Sequence, residues 1–421
     1  MLVLAHLGNS SGISPFVFYL LNSLLKQRNK AYTTTLGITK KEKQMEEQDY
    51  IEEIKGEIED SYSNDDLYNI NSWGADLSFR ELITMYEEDE LLKPELQRKF
   101  VWGKPEASRF IESILLGLPV PSIFLANTKN DKKLIIDGYQ RIMTVFDYVK
   151  EGIWNKDGKV FKLSNTNRIN ERWRGKAFSE LSEQDQRKIR STTIHAIIFE
   201  QKAPNDNDTS LFQVFERINT GGQALMPQEI RNCVSQGEFN NLLFELNKNL
   251  NWRNLFGKEE EDSRMRDLEF ILRFLALDTD YIKNNTSSAI SLKKYLNEFM
   301  GLNNSQQPNI IQERKTKFEN VIEFIHNHIG ENAFFNITGG DDTKIRKRFY
   351  PTIFDSLCPA VSIAMERLGD NIPTDNLEHK RLELLKNEDY RKFTSEGTMQ
   401  IAHIHGRINL TLNYLFDISY E

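Results

Sequence analysis

Five consecutive residues, Asp137-Gly138-Tyr139-Gln140-Arg141, bring a carboxylate, a glycine, an amide and a guanidinium into one short stretch. Lys133 to Ile136 reads as a short buried strand and Ile142 to Val149 as a helix, so Asp137-Gly138 is the turn between them. Gly138 permits a backbone conformation that a Cβ resists. Gln140 and Arg141 then fall in the first helical turn, where unpaired N–H groups and the helix dipole favour an anion. Cations ordinarily gather at the opposite end of a helix. Arg141 at this end therefore suggests a phosphate held between guanidinium and backbone. A plain strand–turn–helix with a surface arginine explains the same letters equally well.

Two further islands combine chemistry with awkward local structure. In Pro94 to Trp102, Gln97 and Arg98 stand beside an aromatic cluster, as an arginine buttressed for phosphate or base contact would. A surface arginine packing on Trp102 is the competing reading. In Asn219-Thr220-Gly221-Gly222, the double glycine lets main chain approach a ligand closely and Asn219 offers both donor and acceptor, although a helix C-cap has the same composition. Other features are declined. His326-Asn327-His328 and His403-Ile404-His405 fall in helical patterns and read as core or surface histidines. No Gly-x-x-x-x-Gly-Lys-Ser/Thr loop is present, so nucleotide use would not be of that kind.

The elements that must position these residues alternate between about 77 and 240. Pro105 to Leu116 is a helix entered through proline and stopped at Gly117. Strands at Ser122–Ala126 and Lys133–Ile136 form a hairpin, and Thr193–Glu200 is the clearest strand. Helices at Ser210–Ile218 and Pro227–Gln236 flank the glycine pair. This predicts an α+β domain with a small sheet. From about 240 the period becomes helical, with Leu268, Ile271, Leu272 and Leu275 on one face and similar patterns at Phe318–Ile329 and Tyr350–Leu368. Residues 241–421 are expected to be an all-helical domain.

The chain has 421 residues, net charge −8 and 39% apolar content, which fits two or three domains with real cores. That balance argues against a globally basic nucleic-acid coat while leaving room for a local basic patch. Cys233 and Cys358 supply neither a disulfide framework nor a zinc site, and a reducing cytoplasm is expected. The apolar run Ser14–Leu21 is too short to span a bilayer, and its first basic residues follow rather than precede it. Charge flips from basic to acidic after Lys43. Translation is expected to start at Met45, with residues 1–44 an extension without a fold and 45–77 an acidic arm.

Taken together, Gln97-Arg98, Phe110-Ile111-Glu112-Ser113-Ile114, Gly117, Pro121, the Asp137–Arg141 turn, Asn219–Gly222 and Leu225-x-Pro227-x-Glu229 resemble the N-terminal domain of GmrSD-type restriction enzymes. That domain is similar to the ParB and sulfiredoxin-like fold. The resemblance spans 78–240, and Arg266-Asp267-Leu268-Glu269 with Arg273-Phe274 extends it. It implies a nucleotide-binding domain in which Gln97, Arg98, Gly138, Gln140, Arg141, Gly221 and Gly222 contact the nucleotide and its phosphates. Asn219 would help hold Mg²⁺, Asp137 would sit at the reaction centre, and Glu229 and Arg231 would support the site. Two positions depart from the pattern: Ile218 stands where ParB has an acidic residue, and Tyr139 where the GmrSD-like group usually has Gln. Sulfiredoxin's catalytic cysteine is absent, which excludes that reaction. The expected function is a Mg²⁺-dependent nucleoside triphosphate hydrolase acting as a sensor or switch in defence against foreign DNA. Possible partners are DNA or a separate nuclease subunit, with no membrane. The alternatives are a DNA-binding or DNA-cleaving protein that uses the same pocket, and a non-catalytic assembly factor.

Overall fold

The computed structural model describes residues 50–54, 69–92, 102–128, 131–152, 159–203, 209–218, 225–235, 237–304, 306–338 and 341–420. The expected extension 1–44 lies outside them, as do Gln97, Arg98, Asn219, Gly221 and Gly222.

The first domain is built on five strands: β1 (Asn69–Ser78), β2 (Leu91–Leu92), β3 (Ile123–Asn127), β4 (Lys133–Asp137) and β5 (Thr193–Ala203). They form one mixed sheet in the order β1-β5-β3-β4-β2. β3 and β4 are the expected antiparallel hairpin, while β3 runs parallel to β5 and β2 parallel to β4. Thr128 closes the hairpin, its N–H and hydroxyl both donating to the Lys132 carbonyl at 2.8 and 3.1 Å.

Alternation along the strands sends side chains into two separate cores. Ile123, Leu125, Ile135, Ile194, Ala196 and Ile198 face α1 (Phe79–Glu87), α2 (Lys104–Leu116), α3 (Tyr139–Val149) and α4 (Glu183–Ser191). Ala126, Leu134, Ile136 and Phe199 face α5 (Thr209–Ile218) and α6 (Pro227–Val234). Helix α2 stops where the sequence says it should. Gly117 adopts φ +76°, and its N–H and that of Leu118 bond back to the Ile114 and Ser113 carbonyls at 3.0 and 2.9 Å.

The second region contains α7 (Glu238–Leu246), α8 (Leu250–Phe256), α9 (Arg266–Leu277), α10 (Leu292–Asn303), α11 (Pro308–His328), α12 (Pro351–Leu368), α13 (Leu377–Lys386), α14 (Glu388–Ser395) and α15 (Ile401–Phe416). A short helical turn also occurs at Asp280–Lys283. Leu268, Ile271, Leu272 and Leu275 are buried in its core, as their period requires. Both histidine pairs lie in helices, α11 and α15. No helix among the described residues is long and apolar enough to cross a membrane.

The second region is largely helical, as expected, with one addition: strands β6 (Phe335–Thr338) and β7 (Asp341–Phe349) pair as an antiparallel ribbon. Of the expected acidic arm 45–77, residues 50–54 and 69–77 are described. Asn69–Ser78 is a ten-residue strand of the first sheet, and Tyr50–Ile54 docks in the second region. There Ile51 bridges Phe349, the Phe349 N–H donates to the Tyr50 carbonyl at 2.9 Å, and the Tyr50 hydroxyl donates to the Phe256 carbonyl at 2.6 Å. Glu52 pairs with Arg348 at 2.8 Å. The acidic character of this segment thus has a local partner in the basic strand β7.

Candidate functional site

The turn from β4 into α3 is built around Gly138. Its φ of +102° is a conformation that costs side-chain-bearing residues energy, and a Cβ there would lie 2.2 Å from Ile123 Cγ2. Glycine is required twice over, by dihedral and by space. The turn therefore presses directly on the first residue of β3. No side chain caps α3, and the first intrahelical bond runs from the Ile142 N–H to the Gly138 carbonyl at 3.0 Å. The N–H groups ahead of it form the positive end of the helix.

Arg141 turns back over this end. Its guanidinium donates to Asp137 Oδ2 at 2.5 Å and to the Pro121 and Ser122 carbonyls at 2.8 and 2.9 Å. The arginine is 12% exposed and the aspartate 44% exposed. Arg141 thus ties β4, α3 and the lead into β3 together, and presents the remaining face of the Asp137 carboxylate to solvent. Gln140 points the other way, its Oε1 accepting from the Trp102 N–H at 3.3 Å. Trp102 packs edge-on against Phe110 of α2, with ring centroids 5.5 Å apart. Trp102, the last residue of the Pro94–Trp102 island, is thereby held at the first turn of α3.

Behind the turn lies a group the sequence reading missed. Asp147, two turns along α3, is pushed up to about 6 by burial. Burial likewise pushes Tyr139 up to about 12, with Tyr86 and then Asp147 adding to the shift. An aspartate in an amphipathic helix gives no sign in the sequence that it faces inward. Its only clue is the i+8 spacing from Tyr139, which recurs on one face of a helix.

Glu229 and Arg231 lie on α6. Glu229 accepts from the Met226 N–H at 2.5 Å and from Arg264 at 3.0 Å. Arg231, 1% exposed, donates to Gln228 at 2.7 Å, Asn297 at 3.2 Å and Glu269 at 2.5 Å. Meanwhile Ile230 and Cys233 pack under the sheet. Helix α6 is therefore held on one side by the first domain's core and on the other by polar bonds to α9 and α10. Arg266 and Asp267 are likewise spent on internal pairs, with Asp262 and Arg253, both at 2.7 Å. Among the described residues no group of three or more His, Cys, Asp or Glu side chains could hold a metal.

Residues 79–235 match the family described as GmrSD restriction endonuclease, N-terminal domain. The match begins at the first residue of α1, leaving out β1, and ends one residue after α6. No curated protein matches the chain.

Proposed function

We propose, from the premise that residues 79–235 belong to the GmrSD restriction endonuclease N-terminal domain family, that this protein binds and hydrolyses a nucleoside triphosphate. The family membership supports a restriction-related defence role, in which the nucleotide would serve as a sensor or switch. The observation that carries the reading is the β4–α3 turn, where a glycine with no substitute leads into an uncapped helix beside a held, half-exposed carboxylate.

In this reading the phosphates lie against the first-turn N–H groups of α3, and Gln140 braces that turn through its bond with Trp102. Arg141 acts through Asp137 as a positioning residue, since three protein acceptors already use its donors. Asp137 orients the attacking water by accepting its hydrogen bond. Gln97, Arg98, Asn219, Gly221 and Gly222 come to the site from the resemblance alone. Asp137 offers one free carboxylate oxygen, which suits Mg²⁺ because that ion is usually held by one or two carboxylates together with substrate phosphates. When bound, Mg²⁺ would supply neutralisation of phosphate charge.

Polar bonds from α6 give the nucleotide a physical route to the second region, since Leu225 to Asn232 follows the Asn219–Gly222 stretch directly. The test is phosphate release from the four nucleoside triphosphates with Mg²⁺, with and without duplex DNA. Release from at least one of them supports the reading. Absence of both release and analogue binding overturns it, and DNA binding that weakens steeply with salt would then favour a phosphate-gripping DNA site.

A further inference from the structure

A cavity of about 580 Å³ opens in the second region between the end of α9, α11 and α12, well within the range of small-molecule sites. Arg314 of α11 lines it and is the unusual residue there. Its guanidinium lies over the Phe299 ring at 5.0 Å and the Phe239 ring at 5.9 Å. Its buried Nε meets no acceptor, and it makes no ion pair among the described residues. Burial pushes its pKa below the usual value, and the nearby Glu313 and Asp278 carboxylates oppose that shift only in part, neither of them forming an ion pair with it. Stacking on rings offsets part of that cost, but a desolvated cation without a hydrogen-bonded anion is an unfinished pair.

The neighbouring cation is already matched. Lys317 pairs with Asp278 at 3.0 Å, and Asp278 also accepts from Ser362 at 2.6 Å. Arg314 is thus the cation of the cavity whose buried donor is left without a hydrogen-bonded acceptor, a place that a single carboxylate would complete. Ile310, Ile363 and Tyr420 supply an apolar wall. The exposed mouth has the opposite balance, with Asp280, Glu313 and Glu366 against Lys283 and Arg367. Arg367 is spent on the Ser419 and Tyr420 carbonyls at 2.6 and 3.0 Å. A polyanion such as a triphosphate would meet three carboxylates on its way in.

We infer that this cavity binds a zwitterion of amino-acid size, its carboxylate on Arg314 and its ammonium among the carboxylates of the mouth. Nothing in this depends on the turn at Gly138.

The test is calorimetric titration and thermal shift of the full chain with the twenty L-amino acids, each hit being repeated with the matching acid that lacks the amino group. At least one amino acid is expected to bind saturably and its des-amino counterpart at least tenfold more weakly. Arg314→Met keeps the stem that packs on Phe299 and should weaken binding at least tenfold. If that variant does not fold, Arg314→Lys should weaken binding severalfold by losing the planar fork. No binding by any member, binding that survives both substitutions, or equal binding of the des-amino acid would overturn the assignment.

Discussion

Arg141 holds Asp137 one helical turn behind it with the carboxylate 44% exposed, whereas Arg273 grips Asp355 across 82 residues with both side chains buried. The groups are the same and the consequences differ. A half-exposed pair one turn apart contributes at most about 1 kcal/mol. Stability therefore does not explain why a turn that only glycine can make is furnished with one. Its effect is geometric: it aims a carboxylate that solvent or a ligand can still reach. The Arg273–Asp355 pair faces neither, and its work is to neutralise a charge inside a helical core. Burial of the acid, rather than the presence of the pair, separates a candidate site from a structural strut.

The largest effect should come from the buried pair. Arg273→Leu leaves Asp355 in the core with Arg407 at 3.7 Å as its remaining cation among the described residues, and should cost about 3 kcal/mol in urea unfolding, the lower end for a broken buried pair. Arg141→Leu also strips the Pro121 and Ser122 carbonyls of their donor and should cost about 1–2 kcal/mol by the same measurement, below the loss at Arg273. Similar losses for the two would erase the distinction drawn here. Next comes Gly138→Ala. A Cβ 2.2 Å from Ile123 Cγ2 at φ +102° should cost roughly 2–4 kcal/mol through strain and overpacking. A thermal melt coincident with wild type would mean that the turn relaxes freely and does not need glycine.

Asp147 gives a smaller effect of opposite sign. Its folded pKa of about 6 lies above the ordinary value of 3.8, so the native state holds the proton more tightly than the unfolded chain does. Stability from this group is complete below about pH 4 and is lost as pH rises through about 6. Asp147→Asn should therefore stabilise the protein by roughly 1–2 kcal/mol at pH 8, after allowance for partial exposure, and by little at pH 4.5. Urea melts at the two pH values check it, and a pH-independent difference would show that the carboxylate is solvated.

The same contrast marks what the sequence could and could not tell. The Gly117 stop of α2, the β3–β4 hairpin and the turn at Gly138 were legible because each rests on local chemistry within a few residues. Strand β1 was not, because most of it is exposed on a sheet edge and shows no apolar alternation. Strand β7 was hidden by its run Lys344-Ile345-Arg346-Lys347-Arg348, whose charges are matched in part by Glu52, nearly 300 residues earlier. In the site, Asp137, Gly138 and Arg141 were legible as a motif. That Arg141 bonds to Pro121 and Ser122 was not, since those acceptors lie about 20 residues upstream. Arg231 shows the same limit, because its partners Glu269 and Asn297 belong to helices of the second region.

The central claim is that Asp137 is held open for chemistry and not for stability. Asp137→Asn keeps the shape and a hydrogen-bonding group while removing the charge. The direct measurement is steady-state phosphate release by this variant and by wild type, alongside Kd for a non-hydrolysable triphosphate analogue with Mg²⁺. Turnover should fall at least about tenfold, or about 1.4 kcal/mol in the barrier, with analogue affinity little changed and unfolding free energy within about 1 kcal/mol of wild type. Full turnover by Asp137→Asn would contradict the account and leave the Asp137–Arg141 pair as a brace for the turn.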